Sequence, residues 1–217
     1  MSQLTIRFYT SAILLLIIAL AFNYLPVMFI SLIVICTLSL NEFNNLFRKI
    51  YKKKKLLYLV SIIISLFYLL FFSLTISNYI FLFDNSLKIS LIFLILICTL
   101  TDIGGYFFGK IFGGKKFTKI SPNKTYSGIV GSFIFSIIFG YVFYYYFSQQ
   151  IYIKVNVIIF ICIISIISQI GDLIISYFKR KAHIKDTGSI LPGHGGILDR
   201  IDGIMIALPV GIILLSL

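Results

Sequence analysis

The stretch Leu56–Phe83, LLYLVSIIISLFYLLFFSLTISNYIFLF, decides the fold, because its 28 residues carry no charge. About 20 apolar residues are enough to cross a bilayer, and a longer run can tilt. Similar runs recur along the chain, which has 217 residues, of which 59% are hydrophobic and 12% charged. A soluble domain of this length could not bury so much apolar surface. Because the alternation of a transmembrane barrel is absent, the sequence predicts a helical membrane protein.

The remaining apolar runs bring the prediction to seven transmembrane helices. Leu4–Leu40 contains two runs separated at Asn23–Pro26, which we expect to form a helical hairpin. Leu56–Phe83 is either one tilted helix or a helix with a short interfacial piece. No small-residue cleavage site follows the first run, so we interpret it as a span and not as a signal peptide. The later spans are predicted at Leu87–Phe108, Ser127–Phe147, Ile153–Phe178 and Gly203–Leu217.

Three basic clusters set the predicted topology. They lie at residues 48–55, 110–124 and 179–200, and they hold 16 of the 19 Lys and Arg residues of a chain with net charge +12. Short loops rich in Lys and Arg stay in the cytoplasm, which requires an even number of crossings between clusters. We therefore expect an all-α polytopic membrane protein with about seven spans, a cytoplasmic N-terminus and cytoplasmic polar loops. Half-helices that do not cross would raise the number to as many as nine.

The basic clusters also indicate which partners to expect. They would attract anionic lipid and substrates that carry phosphate. Nucleic acid is not an expected partner, because no basic domain stands outside the membrane to present a reading element. Glu42 follows the second apolar run, and we interpret it as pairing with Arg48 or Lys49 on the same helix.

The stretch from Ser168 to Asp202 is where chemistry is expected, because it holds four of the seven acidic residues. Asp172 lies within an apolar helix, where a carboxylate is costly unless it is paired, hydrated or bound to a cation. A structural pair with a neighbouring helix is the alternative, but function is favoured at such a position. Asp199 and Asp202 are spaced i, i+3, so they share one helix face at the start of the last helix. Stabilisation of that helix end by two acids is the simpler interpretation.

A glycine-rich loop, Pro192–Gly196, immediately precedes the acidic pair. Glycine-rich backbone can turn its N–H groups toward an anion, and carboxylates bind hard cations such as magnesium. Together these residues predict a site for nucleotide phosphate. His194 could act as a general acid or base, or could hold the loop through a hydrogen bond, and phosphoryl chemistry often needs no base.

A second polar stretch, Asp102–Thr125, is the expected opposite wall of this site. Its Gly113-Gly114-Lys115-Lys116 run is a weak phosphate-loop signal without the Walker pattern. A flexible cytoplasmic loop that obeys the positive-inside rule is an equally good interpretation of the spacing. The acidic Asp102 at the end of its helix favours a functional role.

The residues Ser176–Asp202, SYFKRKAHIKDTGSILPGHGGILDRID, resemble the hallmark motif of the phosphatidate cytidylyltransferases, the CDP-diacylglycerol synthases. That motif contains S-x-apolar-K-R, K-D, P-x-H-G-G and D-R-apolar-D, and every specified position is matched. The resemblance covers the chain from about Thr101 onward. Residues 101–217 are therefore expected to be the catalytic region and residues 1–100 the N-terminal helices of one membrane domain. Further family elements are resembled by Gly171–Leu173, Asp102–Tyr106, Gly109-Lys110 and Ser121–Thr125.

The resemblance implies that CTP and phosphatidate are converted to CDP-diacylglycerol and pyrophosphate. It implies a magnesium-dependent nucleotidyl transfer of phospholipid biosynthesis, with a second cation also compatible. The implied partners are CTP, phosphatidate from the inner leaflet and the bilayer itself, in the cytoplasmic (inner) membrane. A homodimer is left open.

The resemblance also suggests roles for individual residues. Asp172, Asp199 and Asp202 would bind the metal, with Asp102 and Asp186 as second choices. His194 and Lys185 would complete the catalytic set. The groups assigned to phosphates of CTP or lipid are Lys124, Lys179, Arg180, Arg200, Gly195 and Gly196.

Two departures and two rivals qualify this expectation. Ser127 and Ile175 stand where the family often has acidic residues, so fewer acids, or water, would hold a cation here. The rival enzyme class, the CDP-alcohol phosphotransferases, carries a D-G-x-x-A-R element that this chain lacks. A non-catalytic transporter or lipid-binding protein is the rival from another class.

Overall fold

The protein is all-helical in the part of the chain that the computed structural model describes, which is residues 3–81, 85–118, 120–122, 124–193 and 195–216. The β-structure among these residues consists of two isolated bridges, Lys116 with Thr125 and Leu191 with Gly195. The seven helices are α1 (Gln3–Asn23), α2 (Leu25–Ile50), α3 (Lys55–Phe81), α4 (Asn85–Phe112), α5 (Tyr126–Tyr146), α6 (Val157–Lys181) and α7 (Leu198–Ser216).

The described residues form seven helices, but only six of them, α1 to α6, are long and apolar enough to cross a membrane, so the predicted count of seven spans fits only roughly. The predicted hairpin break is confirmed. Tyr24 is extended between α1 and α2, and Pro26 lies in the first turn of α2, where proline is tolerated. The stretch from Leu56 contains one helix, α3, and not two.

The helices divide between two compact units, each built from two separate stretches of chain. The first unit consists of Met1–Ser77 and Phe178–Ile201, and the second of Asn78–Tyr177 and Asp202–Leu217. The N-terminal helices therefore share a unit with the loop that carries most of the hallmark motif.

In the first unit, α1 packs against α2, and aromatic rings join α2 to the end of α6. Phe47 is stacked on Phe43 with ring centroids 5.7 Å apart, and it meets Phe178 edge to face at 5.4 Å. Phe43 and Phe47 are buried. Many other apolar side chains of α1 and α3 are exposed, as is expected of helix faces that meet lipid.

In the second unit, α4 packs against α5 through small residues. A Cβ atom added at Gly105 would lie 2.7 Å from the Ser132 hydroxyl, and one added at Gly131 would overlap Phe108. Small residues let helix backbones approach closely in membranes. A hydrogen bond reinforces this contact, because Ser132 of α5 donates to the carbonyl of Thr101 of α4 at 2.8 Å. The Thr101 hydroxyl also joins α4 to α6, by donating to Ser165 at 3.0 Å. The glycines of the Asp102–Tyr106 element therefore serve helix packing.

Gly131→Ala should lower the stability of the second unit, because its new methyl group would overlap Phe108 and force α4 away from α5. Overpacking of this kind costs about 1–3 kcal/mol. The matched control is Gly140→Ala on the same helix, whose methyl group would meet the flexible end of Ile161 at 3.3 Å and Ile97 at an ordinary contact distance of 3.7 Å. Thermal unfolding in one detergent should show a lower midpoint for Gly131→Ala alone. Equal midpoints for the two variants would contradict the packing argument.

Candidate active site

A buried carboxylate organises the loop between α6 and α7. Glu42 of α2 has only 2% of its surface exposed. Its Oε1 accepts the backbone N–H of Ile197 at 2.9 Å, and its Oε2 accepts that of Leu198 at 2.9 Å. The same Oε2 accepts the hydroxyl of Thr187 at 2.6 Å. Glu42 therefore caps the start of α7 from another helix, where a negative charge is favoured by the orphan N–H groups and the helix dipole.

The interpretation of Glu42 as a local partner of Arg48 or Lys49 was wrong. Its hydrogen bonds go to residues more than 140 positions later in the chain. The local rule failed because a carboxylate with 2% exposure needs partners that are also buried, which the exposed Lys49 is not.

Asp199 is the second anchor of this loop. Its Oδ1 is paired with the Lys179 ammonium at 2.8 Å. Its Oδ2 accepts the N–H of Thr187 at 2.8 Å and the N–H of Gly196 at 3.1 Å. Burial raises the pKa of Asp199, but the bonds from Lys179, Thr187 and Gly196 outweigh it and bring the pKa below its usual value. Asp199 is therefore ionised at neutral pH and fixes the loop to the end of α6.

The Thr187 hydroxyl lies between the two buried carboxylates, 2.6 Å from Glu42 Oε2 and 3.0 Å from Asp199 Oδ2. One hydroxyl proton serves one acceptor at a time, and the shorter distance favours Glu42. The surrounding space is filled. A Cβ atom added at Gly188 would lie 2.7 Å from Glu42 Oε1, and one added at Gly196 would overlap Thr187.

The N–H groups of Gly195 and Gly196 in the glycine-rich loop bond within the protein, and one of the two acceptors is an anion, the Asp199 carboxylate. Gly196 donates to Asp199, and Gly195 donates to the carbonyl of Leu191 at 3.1 Å. Gly193 and Gly195 have φ values of 75° and 87°, which glycine adopts without strain. His194 lies outside the described residues. In this structure the loop is held rigid by carboxylates that sequence reasoning assigned elsewhere or missed.

In the second unit the two predicted walls meet through an ion pair. Lys124, which precedes α5, is bonded to Asp172 Oδ2 of α6, and both side chains are about a quarter exposed. Ser176 donates to Asp172 Oδ1 at 3.3 Å. Thr125 caps α5 by accepting the N–H of Gly128 at 3.1 Å, which fixes the position of Lys124. The expected contact between the Asp102–Thr125 stretch and Asp172 is therefore present.

Three carboxylates of the second unit act on one another. Asp202 is hydrogen-bonded to Asp172 and lies within electrostatic range of Asp102. Its Oδ1 accepts the N–H of Gly203 at 2.8 Å. Gly171 permits this closeness, because a Cβ atom there would lie 3.1 Å from the Gly203 backbone. A hydrogen bond between two carboxyl groups requires a proton on one of them, and the Lys124 ammonium offsets the charge that remains.

Comparison with known proteins agrees with these motifs. The sequence model of the cytidylyltransferase family matches residues 3–217. The chain belongs to this family. The predicted resemblance to this family is therefore confirmed.

Three relatives illustrate the match to the cytidylyltransferase family. A phosphatidate cytidylyltransferase of Staphylococcus saprophyticus is 47% identical over 126 residues, and one of Staphylococcus aureus (strain COL) is 44% identical over 128 residues. Each match covers 58% of this chain and 48% of the relative. A phosphatidate cytidylyltransferase of Rickettsia prowazekii is 45% identical over 139 residues, which is 58% of each chain. The chain thus spans about half the length of the curated relatives it matches.

The two departures from the family pattern have structural roles here. Ser127 donates to the carbonyl of Gly113, whose φ is 56°, so it secures the turn after α4. Ile175 is buried with 4% exposure. An acid at Ile175 would need a buried partner. The cytidylyltransferase fold of this chain therefore uses both positions for packing and loop geometry.

The donor set for a cation is partly assembled. Oxygen ligands from carboxylates are what magnesium prefers, and Asp102, Asp172 and Asp202 are the carboxyl groups of the second unit that would supply them if a cation were bound. Among the described residues, no group of three or more His, Cys, Asp or Glu side chains is already arranged to hold a metal ion. The assignment of Asp172, Asp199 and Asp202 to a metal stays a prediction, and at Asp199 it requires Lys179 to move.

The other residues predicted from the cytidylyltransferase motif lie at the surface. Arg180 follows Lys179 at the exposed end of α6, and Arg200 is exposed in the first turn of α7. Lys185 and Asp186 are exposed in the loop between them. Their roles toward phosphate or metal stay predictions.

Proposed function

We propose that this chain transfers the cytidylyl group of CTP to phosphatidate, giving CDP-diacylglycerol and pyrophosphate. The observation that carries the proposal is the group of Asp102, Asp172 and Asp202 with Lys124, which unites the two motif segments in one polar site. Membership of the cytidylyltransferase family supports it, as do relatives named phosphatidate cytidylyltransferase. Because the chain spans about half of those relatives, the activity is a proposal for this chain.

The chemistry requires little more than positioning and charge neutralisation. An oxygen of the phosphatidate phosphate attacks the α-phosphorus of CTP, and the bond to the β-phosphate bridging oxygen breaks, so that pyrophosphate leaves with both bonding electrons. A phosphate monoester is largely dianionic at neutral pH, because its second pKa is near 6, so the nucleophile arrives almost activated. Cations are needed on the triphosphate, where charge develops. Lys124, Lys179, Arg180, Lys185 and Arg200 are the proposed contributors.

We assign magnesium to Asp172 and Asp202, with Asp102 as a further ligand and a second cation compatible with the number of acids. The bound metal would neutralise phosphate charge. Lys124 occupies the cationic position beside Asp172 in this structure. We propose that Lys124 turns from Asp172 to a substrate phosphate when the metal is present. Asp172 would then pair with Lys124 without the metal and bind the metal when it is present.

The topology that suits this function places the N-terminus and the polar loops in the cytoplasm. CTP would reach the site from water and phosphatidate from the inner leaflet of the cytoplasmic membrane. The distribution of Lys and Arg supports this arrangement. Six helices that are apolar enough to cross a membrane are consistent with a multi-pass protein.

The test is incorporation of label from CTP into lipid by the purified protein. With [α-³²P]CTP, magnesium and phosphatidate, label should enter the lipid extract and pyrophosphate should appear in equal amount. Both signals should vanish when phosphatidate is replaced by diacylglycerol or when EDTA is added. A CDP-alcohol phosphotransferase would instead release CMP from CDP-diacylglycerol and an alcohol. A transporter or lipid-binding protein would leave the lipid unlabelled, and either result would exclude the proposal.

A further inference from the structure

Two cavities follow one another along the helix pair α2 and α3 in the first unit. The first, of about 360 Å³, lies where α2 ends and α3 begins. The second, of about 390 Å³, is a groove between the apolar parts of the same helices. Neither cavity is used by the proposed cytidylyl transfer, since none of their described lining residues belongs to its motifs.

The first cavity is a basic pocket. Four of its lining residues are cations, and its described lining contains no acid. Tyr58 donates a hydrogen bond to Asn44, which ties the start of α3 to the end of α2 and shapes the pocket. The Lys181 ammonium lies over the ring of Tyr51, 5.8 Å from its centroid, in a cation–π contact. The cations are Arg48, Lys52, Lys53 and Lys55.

The second cavity is an apolar groove with a few small polar side chains. Leu40, Leu66 and Leu69 line it, together with Ser73, whose hydroxyl is satisfied by the carbonyl of Leu70 at 3.0 Å. Both α2 and α3 are long and apolar enough to cross a membrane. The groove is therefore expected to lie in hydrocarbon, where an aliphatic chain is its natural occupant.

The register along the helices places the two cavities end to end. Asn44 in the pocket lies four residues beyond Leu40 in the groove, and Tyr58 lies eight residues before Leu66. At a rise of about 1.5 Å per residue these intervals are roughly 6 and 12 Å. A basic pocket at the membrane interface thus continues into an apolar groove at membrane depth.

We propose that this composite site binds one anionic membrane phospholipid, with its phosphate in the basic pocket and an acyl chain in the apolar groove. Basic pockets between transmembrane helices bind anionic head groups, and each Lys or Arg adds to that attraction. The positive-inside rule accounts for lysines in this loop. It does not account for a pocket formed around four of them or for a groove aligned with it. A soluble nucleotide or free phosphate would use the pocket but not the groove.

The test uses the full chain in nanodiscs of phosphatidylcholine with a small fraction of phosphatidylglycerol, and counts lipids that stay bound in native mass spectrometry. The proposal predicts selective retention of one phosphatidylglycerol. Lys52→Gln with Lys53→Gln should weaken that retention roughly tenfold to thirtyfold. The matched control, Lys115→Gln with Lys116→Gln, removes the same charge from another exposed loop and should retain the lipid. Equal losses in the two pairs would overturn the site.

A second pair of variants separates a lipid from a free phosphate. Ser73→Phe would fill the groove, whereas Ser61→Phe on the same helix lies outside it. Ser73→Phe alone should reduce phosphatidylglycerol retention at least tenfold, with unchanged helix content by circular dichroism. Inorganic phosphate at millimolar concentration should not displace the lipid. If phosphate displaces it and Ser73→Phe has no effect, the pocket binds phosphate alone and the proposal is wrong.

Discussion

Glu42→Ala is expected to abolish cytidylyl transfer and to destabilise the first unit, although the residue lies outside the hallmark motif. The substitution would leave the N–H groups of Ile197 and Leu198 without their buried acceptor, whereas the Thr187 hydroxyl could still donate to Asp199 Oδ2 at 3.0 Å. Each orphaned buried donor costs about 1–3 kcal/mol, so the two N–H groups together should cost roughly 2–6 kcal/mol. The start of α7 would lose its cap, and the loop that precedes it would lose its order.

Two conservative variants divide this effect into shape and charge. Glu42→Gln keeps the volume but replaces one acceptor oxygen by an NH₂ group that would face a donor, so its thermal midpoint should fall between those of wild type and Glu42→Ala. Glu42→Asp keeps the charge but is one methylene shorter, so it should lose some of the three bonds. The matched control for stability is Asp186→Asn, which changes an exposed acid of the same loop.

The measurements are the midpoint of thermal unfolding in detergent and the rate of label transfer from CTP to lipid. Glu42→Ala should lower both, whereas Asp186→Asn should leave the midpoint unchanged. A Glu42→Ala protein with the wild-type midpoint would show that the loop does not depend on this cap. The interpretation of Glu42 as a positioning residue would then be wrong.

The helices could be predicted because each one requires only an uninterrupted apolar run. Their ends were harder to predict, because some are capped by a neighbouring residue and others by a residue far away in the sequence. The predicted span from Ile153 begins instead at Val157, where Asn156 accepts the N–H of Ile158 at 2.9 Å. This cap could have been predicted from the sequence, because Asn156 immediately precedes the helix. The last helix begins at Leu198, as the placement of Asp199 and Asp202 at its start predicts, but its first N–H groups are satisfied by Glu42 of a distant helix. No local rule reveals that partner.

The candidate site was predictable in its residue types and not in their connections. The pairing of Lys124 with Asp172 joins segments whose proximity depends on how α5 and α6 pack. Glycine adds a further ambiguity, since the same residue serves a phosphate, a turn or a helix contact. Gly105 proved to be a helix contact, Gly113 a turn and Gly196 a contact with buried oxygens. Only the tertiary structure distinguishes these uses.

Asp172→Asn is expected to lower turnover at least about a hundredfold, which corresponds to roughly 3 kcal/mol of electrostatic stabilisation. Asp172 is bonded to three other residues of the second unit, Lys124, Ser176 and Asp202. The amide keeps the size of the side chain and removes its charge. It should therefore weaken the attraction for magnesium and raise the magnesium concentration needed for half-maximal activity. The protein should remain folded, because Lys124 and residue 172 are both about a quarter exposed, so water can solvate the ammonium that loses its partner.

Lys124→Met separates the two roles proposed for this ion pair. If Lys124 turns to a substrate phosphate when magnesium binds, its loss should raise the KM for CTP and leave the magnesium requirement close to that of wild type. Ser176→Ala is the mild control, because it removes only a 3.3 Å hydrogen bond to Asp172, which is worth about 1 kcal/mol. Magnesium titrations of the three variants, with CTP dependence at saturating magnesium, decide between the roles. Turnover of Asp172→Asn within threefold of wild type would remove Asp172 from the metal site. An unchanged KM for CTP in Lys124→Met would instead leave Lys124 as a structural counter-ion, which balances the three carboxylates without contacting the nucleotide.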